Sequence, residues 1–511
     1  MNNGRMPRLV CLLCACLVLA GCAGRENAPA AGVTLSPVEN RREAPENDMN
    51  QSYDQTVLLY LPSLDGTRLI AVPETVRLSA SRHSAEALCE VLLSHDATET
   101  TASLGGENQL SLSNTDAVEV SGNVATVSLA ASALRLTHEE LFTVGQALAN
   151  TLCQFGDLSY VNVLIAGVQP GLDIAATLPA GCFQPNTREE LGTLWARASA
   201  PKTAARRAIA AALYYPAPAG KGILCEARIL SFSEITPDAM AVTLLEALSA
   251  GAEYLPNVPQ CPELSGLLLG KPTVEETGGM RRLVLRFGEA LNANLLEAGI
   301  TRSVMMASLV CTLTTFLPGL DGVEVQIGSE RITSLTPSGT LIGAGETIAF
   351  SDGLMRRRDF SSFLLAHCTL YFADAQGMLV QVFRPIPFYE ARSVRALLNQ
   401  LMLGPQSYDS AASLWEVLPQ GLRDADLLGV SLEEDTLLLN FSPQLTALAA
   451  GMDEAQERCM VYAMVNTLSQ LPGVKRVGFY ILGEQPDTFA GALFLPGDFL
   501  PNLGLIRSTA F

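Results

Sequence analysis

Apolar residues recur along this chain in a pattern that appears three times. Each copy begins with a short apolar strand that contains a tyrosine, at Tyr60, Tyr214 and Tyr371. A second strand follows, and then an amphipathic helix whose apolar residues recur at helical spacing. The second strands are expected at 69–78, 223–230 and 379–386, and the helices at 84–93, 237–250 and 393–403. Every copy is therefore predicted to open with two strands and one helix.

The second half of each copy predicts a hairpin, a further helix and a closing strand. The first hairpin alternates apolar and polar residues around a Ser121-Gly122-Asn123 turn, which is typical of paired antiparallel strands. The other hairpins are expected around Gly278-Gly279 and at 428–441. The second helices end in Asn150-Thr151-Leu152, Cys311-Thr312-Leu313 and Asn466-Thr467-Leu468, and the closing strands are 161–166, 323–327 and 477–482.

The resulting order, ββαββαβ, predicts an α+β fold of three tandem units. Each unit is expected to form one small sheet with two helices on one face. The predicted units span residues 56–183, 208–350 and 366–505, and polar joins separate them near 184–207 and 330–366.

The ordered set of motifs resembles the GerMN domain of GerM-type sporulation and spore-germination lipoproteins. The third unit matches best, with Tyr371, Leu403-Gly404-Pro405, Asn466-Thr467-Leu468 and Pro472-Gly473-Val474. The first unit has Ser94-His95 in place of Gly-Pro, and the second is the most diverged, with Ala250-Gly251. The resemblance implies a non-enzymatic scaffold that helps to assemble an envelope complex. Its implied partners are envelope or sporulation-complex proteins, or further copies of the chain in an oligomer or ring.

The N-terminus predicts a membrane anchor. Arg5 and Arg8 precede a short apolar run at 9–20, which is typical of a secretory signal and too short to span a bilayer. Leu19-Ala20-Gly21-Cys22 then resembles the bacterial lipoprotein signal, in which the Cys22 sulfur would carry a diacylglycerol thioether. A plain secretory signal is the alternative. We expect a signal peptide at 1–21, a disordered tether at 22–55, and an extracytoplasmic protein anchored by lipid to the cell membrane.

Composition excludes several classes of protein. With 48% apolar residues the chain is not globally disordered. Its 33 basic and 52 acidic residues give a net charge of −19, which disfavours nucleic acid as a partner. The single dense basic run, Arg356-Arg357-Arg358, is interpreted as a solvated loop or, alternatively, as a docking patch for an acidic partner.

Residue types that carry chemistry are scattered. Eight cysteines beyond Cys22 lack metal-ligand spacing and are expected to be buried free thiols: Cys89, Cys153, Cys182, Cys225, Cys261, Cys311, Cys368 and Cys459. The four histidines, at 83, 95, 138 and 367, are far apart in the sequence. The polar Asn-Thr pairs that close the second helices are expected to bond locally. The sequence therefore predicts no catalytic, cofactor or metal site.

A second class of function stays open. The chain could instead be an envelope lipoprotein that binds a small ligand or cell-wall glycan, or an accessory to a cell-wall enzyme. A concave cleft with converging polar groups would favour that alternative, whereas exposed edge strands or a broad apolar face would favour assembly.

Overall fold

The computed structural model describes residues 42–114, 117–200, 206–220, 222–337, 345–409 and 413–507. Cys22 and the predicted signal peptide lie outside these residues. The chain divides after Glu43, and the residues from Ala44 onward form one compact body.

The first unit contains five strands and two helices, and a further helix follows it. These elements are β1 (Ser52–Pro62), β2 (Leu69–Ser79), α1 (Ala85–Ser94), β3 (Val118–Ser121), β4 (Val124–Leu129), α2 (His138–Leu152), β5 (Tyr160–Ile165) and α3 (Leu191–Ser199). Along β1, Val57, Leu59 and Leu61 are buried at every second position, as the period of a strand requires. A capping box between Thr137 and Glu140 fixes the start of α2.

The second unit follows the same order and adds one helix and short strands. Its elements are β6 (Arg207–Pro216), β7 (Ile223–Phe232), α4 (Pro237–Ser249), β8 (Thr273–Thr277), β9 (Met280–Phe287), α5 (Ala290–Glu297), α6 (Arg302–Phe316), β10 (Gly322–Ile327), β11 (Glu330–Arg331), β12 (Ser334–Leu335) and β13 (Ile348–Ala349). Within the described ranges, no single helix has the length and apolar character to cross a bilayer. Helices α5 and α6 reach that length only as a pair bent by 103°.

The third unit again has the same main elements, with a short helix and two short strands added. They are β14 (Leu365–Asp374), β15 (Leu379–Pro387), α7 (Val394–Met402), β16 (Leu414–Trp415), β17 (Leu427–Glu433), β18 (Thr436–Phe441), α8 (Gln444–Ala449), α9 (Glu454–Leu468), β19 (Arg476–Ile481) and β20 (Asp498–Phe499). The α+β class predicted from the sequence is confirmed.

The first and third units each divide their strands between two sheets, and the second unit adds a third sheet of β12 and β13, whereas one sheet per unit was expected. The first two strands pair antiparallel, so that Tyr60 faces Ala71 and Tyr371 faces Gln381. The hairpin and the closing strand form a separate sheet, in which the closing strand runs parallel to the second hairpin strand. A parallel pair needs a long crossover, and the second helix of each unit supplies it.

In each unit the long helix α2, α6 or α9 packs against the first strand. In the second unit, every residue of α6 after Arg302 is buried. One hydrophobic core runs through the first and second units, and a separate core fills the third. The first two units are therefore joined more intimately to each other than either is to the third.

The N-terminal tether was expected to extend to residue 55, but the structure differs from residue 45 onward. Met49 N donates to Val430 O at 2.8 Å, and Leu432 N donates to Asn50 O at 2.8 Å. Asp48 accepts two hydrogen bonds from Arg395, at 2.6 and 2.9 Å. The segment 45–50, called the strap below, therefore covers the free edge of β17, because an edge strand offers unpaired backbone groups.

The joins between units are also more ordered than their polar composition indicated. In the first join, α3 buries Leu191 and Leu194 and places the Trp195 ring 5.7 Å from that of Phe142. In the second join, the 3-10 helix Arg357–Phe363 buries Phe363 completely. Both described parts of the joins belong to the packed body.

Candidate functional site

The hairpin turn of the first unit lies where the three units meet. Ser121 Oγ donates to Leu365 O and accepts from Cys225 N at 2.9 Å, so one hydroxyl bonds both other units. Asn123 Oδ1 accepts from Ala227 N at 3.4 Å. Gly122 sits between them with a φ of 56°, and a Cβ there would lie 2.0 Å from Cys225 O. The turn was predicted only as a local reversal of the chain.

Arg357 forms a second polar contact between units and corrects the interpretation of the basic run. Its guanidinium is buried, pairs with Glu119, and donates to Thr315 Oγ1 at 2.6 Å and to Tyr214 Oη at 2.9 Å. Burial lowers the pKa of Arg357, but Glu119 outweighs burial and keeps the pKa well above its ordinary value. Arg357 is therefore neither solvated nor available for docking, although Arg358 is exposed.

Beside the Ser121–Asn123 turn, a cleft of about 690 Å³ opens between the three units. The first unit contributes His83, Asn123 and Asp157, and the second contributes Glu226, Tyr254 and Leu255. The third unit contributes the largest share, including His367, Thr369, Phe383, Arg392, Thr467 and Gln470. This volume lies within the range of small-molecule sites in proteins.

The charged groups of the cleft neutralise one another. Asp157 Oδ2 lies 2.6 Å from the Arg392 guanidinium and 3.2 Å from His83 Nε2. Burial raises the pKa of Asp157, but contacts with His83 and Arg392 outweigh burial and lower the pKa to about 2. Burial lowers the pKa of His83, so this imidazole is neutral at neutral pH.

Glu226 is satisfied within the wall of the same cleft. Its carboxylate accepts from Tyr254 N at 2.8 Å and from Glu253 N at 3.0 Å, and lies 3.3 Å from Arg228 Nε. Burial also lowers the pKa of His367 to about 4. None of the titratable side chains lining the cleft therefore carries a charge that lacks a partner, within the residues described here.

The third unit lacks one hydrogen bond that both other units make between the second helix and the first strand, and a second one that the first unit makes. Thr151 Oγ1 accepts from Tyr60 N at 3.1 Å, and Thr312 Oγ1 accepts from Tyr214 N at 3.0 Å. The matching Thr467 Oγ1 is buried in the cleft wall without a hydrogen-bond partner in the described chain.

The neighbouring glutamine shows the same difference. Gln154 accepts from Leu58 N at 2.9 Å and donates to Leu58 O at 3.2 Å. The matching Gln470 instead donates to Asn466 O at 2.9 Å and lines the cleft beside Thr369. The second helix and first strand of the third unit therefore lack both hydrogen bonds beside the cleft, and this contact is called the open seam below.

The Asn-Thr corner bonds to backbone, as a structural role requires, but not locally as expected: the asparagines reach backbone 36 residues further along the chain. Asn150 accepts from Asn186 N at 2.7 Å and donates to Asn186 O at 3.0 Å. Asn466 makes the same exchange with Asn502. In the second unit Cys311 replaces the asparagine and is fully buried.

The eight described cysteines are free thiols, and all but Cys153 are buried. Burial raises the pKa of Cys153, Cys182, Cys261 and Cys311 to about 12, which leaves these thiols protonated and unreactive. Among the described residues, no group of three His, Cys, Asp or Glu side chains is placed to hold a metal ion. His83 and His367, distant in sequence, both line the cleft.

Sequence reasoning missed the buried arginines of the second strands. Arg384 is fully buried against Asp409, and it donates to Gln400 O at 2.8 Å and to Gly404 O at 2.9 Å. Arg228 occupies the matching position in the second unit and donates to Ala247 O at 2.9 Å. Each arginine binds carbonyls at the C-terminal end of the first helix. An arginine at the same place in two largely apolar strands was the available signal.

Comparisons with known proteins give a family match for part of the chain. Residues 369–487 match the family described as Germane, sporulation and spore germination. No curated protein matches the chain. This match lies within the third unit and does not extend to the first two.

Solved structures with similarity to the chain are distant in sequence. The tandem GerMN domains of the sporulation protein GerM from Bacillus subtilis are 16% identical, with coverage of 60% of this chain and 99% of that chain and a TM-score of 0.22. The first GerMN domain of the same protein is 21% identical, covers 27% of this chain and 98% of that chain, and has a TM-score of 0.22. A putative lipoprotein from Clostridium perfringens is 20% identical, with coverage of 27% and 87% and a TM-score of 0.19.

The family match includes the first strand, first helix, hairpin and second helix of the third unit, where the sequence motifs fit best. The GerM-like domain indicates a role in sporulation or spore germination. The GerM-type resemblance inferred from the sequence is thus confirmed, on the match of residues 369–487 to the Germane family.

Proposed function

We propose that the protein is a membrane-tethered, non-enzymatic scaffold that helps to assemble an envelope complex during spore formation or germination. The Germane match over residues 369–487 is the observation that carries this proposal. Its partners are envelope or sporulation-complex proteins, or further copies of the chain.

The contacts between units support a scaffold role, because a scaffold must hold its surfaces in fixed positions. Arg357, Glu119 and Tyr214 form a buried polar cluster that joins the first two units to the start of the third. The Ser121 hydroxyl adds a second such junction. Removing one partner from a buried polar cluster costs more than removing an exposed one, so separating the units at these junctions is unfavourable.

The strap fixes the point on the body at which the predicted tether ends. In this proposal Cys22 carries the lipid and the protein is extracytoplasmic. The strap begins at Pro45, whose carbonyl accepts from Asn440 Nδ2 at 2.9 Å. The first residues of the body therefore lie against the third unit, the one that matches the Germane family.

The test compares Cys22→Ala with Cys16→Ala, a control in the predicted signal peptide. Both full-length variants are produced in sporulating cells, labelled with a fatty-acid probe, and recovered with their bound proteins. We expect Cys22→Ala alone to lose the label and the co-purifying envelope proteins. The proposal is overturned if Cys22→Ala keeps the label, or if a folded, unlabelled variant supports sporulation and germination at the normal level.

A further inference from the structure

We propose that the cleft between the three units binds a neutral carbohydrate. This inference goes beyond the assembly role, since it assigns a ligand to a surface that assembly does not require. The open seam of the third unit, the internal charge balance and the exposed aromatic side chains of the cleft carry it.

The charge balance selects against charged ligands. Asp157 pairs with Arg392, and Glu226 pairs with Arg228 and accepts from two backbone amides. Arg228 also pairs with the exposed Glu253, which lies outside the cleft lining. A charged ligand would lose its hydration in the cleft and find no unpaired opposite charge there, and such desolvation is costly. A ligand whose groups are hydroxyls and amides avoids this cost.

Uncharged hydrogen-bonding groups converge on the same space. Thr467 Oγ1 and His367 Nε2 lack hydrogen-bond partners within the described residues, and both side chains line the cleft. Gln470 uses its Nε2 on Asn466 and keeps its Oε1 for another donor. Sugar hydroxyls both donate and accept hydrogen bonds, so they can bond to hydroxyl, imidazole and amide groups.

The comparison with the first unit shows why these groups point to a ligand. There the equivalent threonine and glutamine are both used on the first strand, at Tyr60 N and at Leu58. In the third unit the same residue types, Thr467 and Gln470, make no hydrogen bond to the first strand. Both of them line this cleft. Buried polar groups without partners are costly, and a polar ligand would satisfy them.

Aromatic side chains supply the apolar part of the site. Phe383 is 45% exposed and Tyr254 is 70% exposed, and they belong to different units. Phe388 adds a third ring to the lining. A sugar ring presents an apolar face of C–H groups, and placing that face on an aromatic ring removes both surfaces from water.

The test uses the full chain in detergent and three probes: the neutral tri-N-acetylchitotriose, the neutral maltotriose, and the deacetylated cationic chitotriose. Binding is measured by isothermal titration calorimetry and by two-dimensional NMR. We expect saturable binding of at least one neutral trisaccharide and no binding of the cationic one. Phe383→Ala should weaken binding about three- to tenfold, and Gln470→Ala should weaken it about fivefold.

Matched controls separate the cleft from general effects on the protein. Ile229 is exposed on the second strand of its own unit and lies outside the cleft lining, so Ile229→Ala should bind as the unchanged chain does. Gln154→Ala, the counterpart of Gln470→Ala, should lower stability and leave binding unchanged. The inference is overturned if neither neutral sugar binds, if the cationic sugar binds more tightly, or if Phe383→Ala and Ile229→Ala behave alike. None of these results bears on partner recovery, so the scaffold proposal is tested separately.

Discussion

Asn466 and Asn502 exchange two hydrogen bonds, with Asn502 N donating to Asn466 Oδ1 at 2.8 Å and Asn466 Nδ2 donating to Asn502 O at 3.3 Å. Asn150 and Asn186 make the same exchange, and 36 residues separate the partners in both pairs. The asparagine of each helix end therefore holds the segment that follows the closing strand. This contact gives the Asn-Thr corner a structural role.

Replacing Asn466 by alanine is expected to lower the free energy of unfolding by about 1–3 kcal/mol, because Asn502 N loses its buried acceptor. Urea unfolding followed by circular dichroism measures the change. Asn399→Ala removes an exposed hydrogen bond to Asp424 and should stay within about 0.5 kcal/mol. Equal losses in the two variants would refute a special role for Asn466.

Breaking the buried pair of Arg384 and Asp409 should cost more. Asp409→Ala leaves the fully buried guanidinium without its carboxylate, and we expect a loss of about 3–5 kcal/mol in unfolding free energy. The control is Glu275→Ala, which removes the exposed partner of Arg286 and should change stability by at most about 1 kcal/mol. A small effect of Asp409→Ala would show that water reaches Arg384.

Gly122→Ala tests the junction between the units. The added Cβ would meet Cys225 O, a backbone atom that cannot turn away, so we expect a loss of at least about 1–3 kcal/mol. Gly106 is a matched control, because its φ of 59° is close to the 56° of Gly122 and a Cβ there meets nothing within 4 Å. Any difference between the two variants therefore measures the close approach alone. Identical stabilities would contradict the packing of the turn on β7.

The buried imidazole of His367 predicts a dependence of stability on pH. Burial lowers its pKa from 6.5 to about 4, so the folded protein resists a proton that the unfolded chain accepts. His367 should therefore have no effect on the stability profile above pH 6.5 and should reduce stability progressively as the pH falls from 6.5 to 4. Urea unfolding across this range should give a shallower loss for His367→Gln than for the unchanged chain. Parallel profiles would show that His367 is accessible to water in the folded state.

Much of the local structure could be predicted from the sequence, since it depends on short-range periodicity. The paired strands around Tyr60 and Tyr371 and the helices that follow them lie within a few residues of their predicted positions. Burial of Arg357 could not be predicted, because its partner Glu119 is 238 residues away. The cleft was equally hidden: its walls come from three units, and no local pattern reports how units pack.

The strap has a consequence for the order in which the chain can fold. Residues 49 and 50 form backbone hydrogen bonds with Val430 and Leu432. The strap can therefore dock only after β17, near the end of the chain, has been synthesised. During synthesis the N-terminal residues emerge first, and closing a loop of this length carries an entropic cost that contacts with the folded last unit must offset. The strap is therefore the last segment to dock. Before the strap docks, the exposed edge of β17 in a partly folded chain would be a site for aggregation by strand pairing between chains.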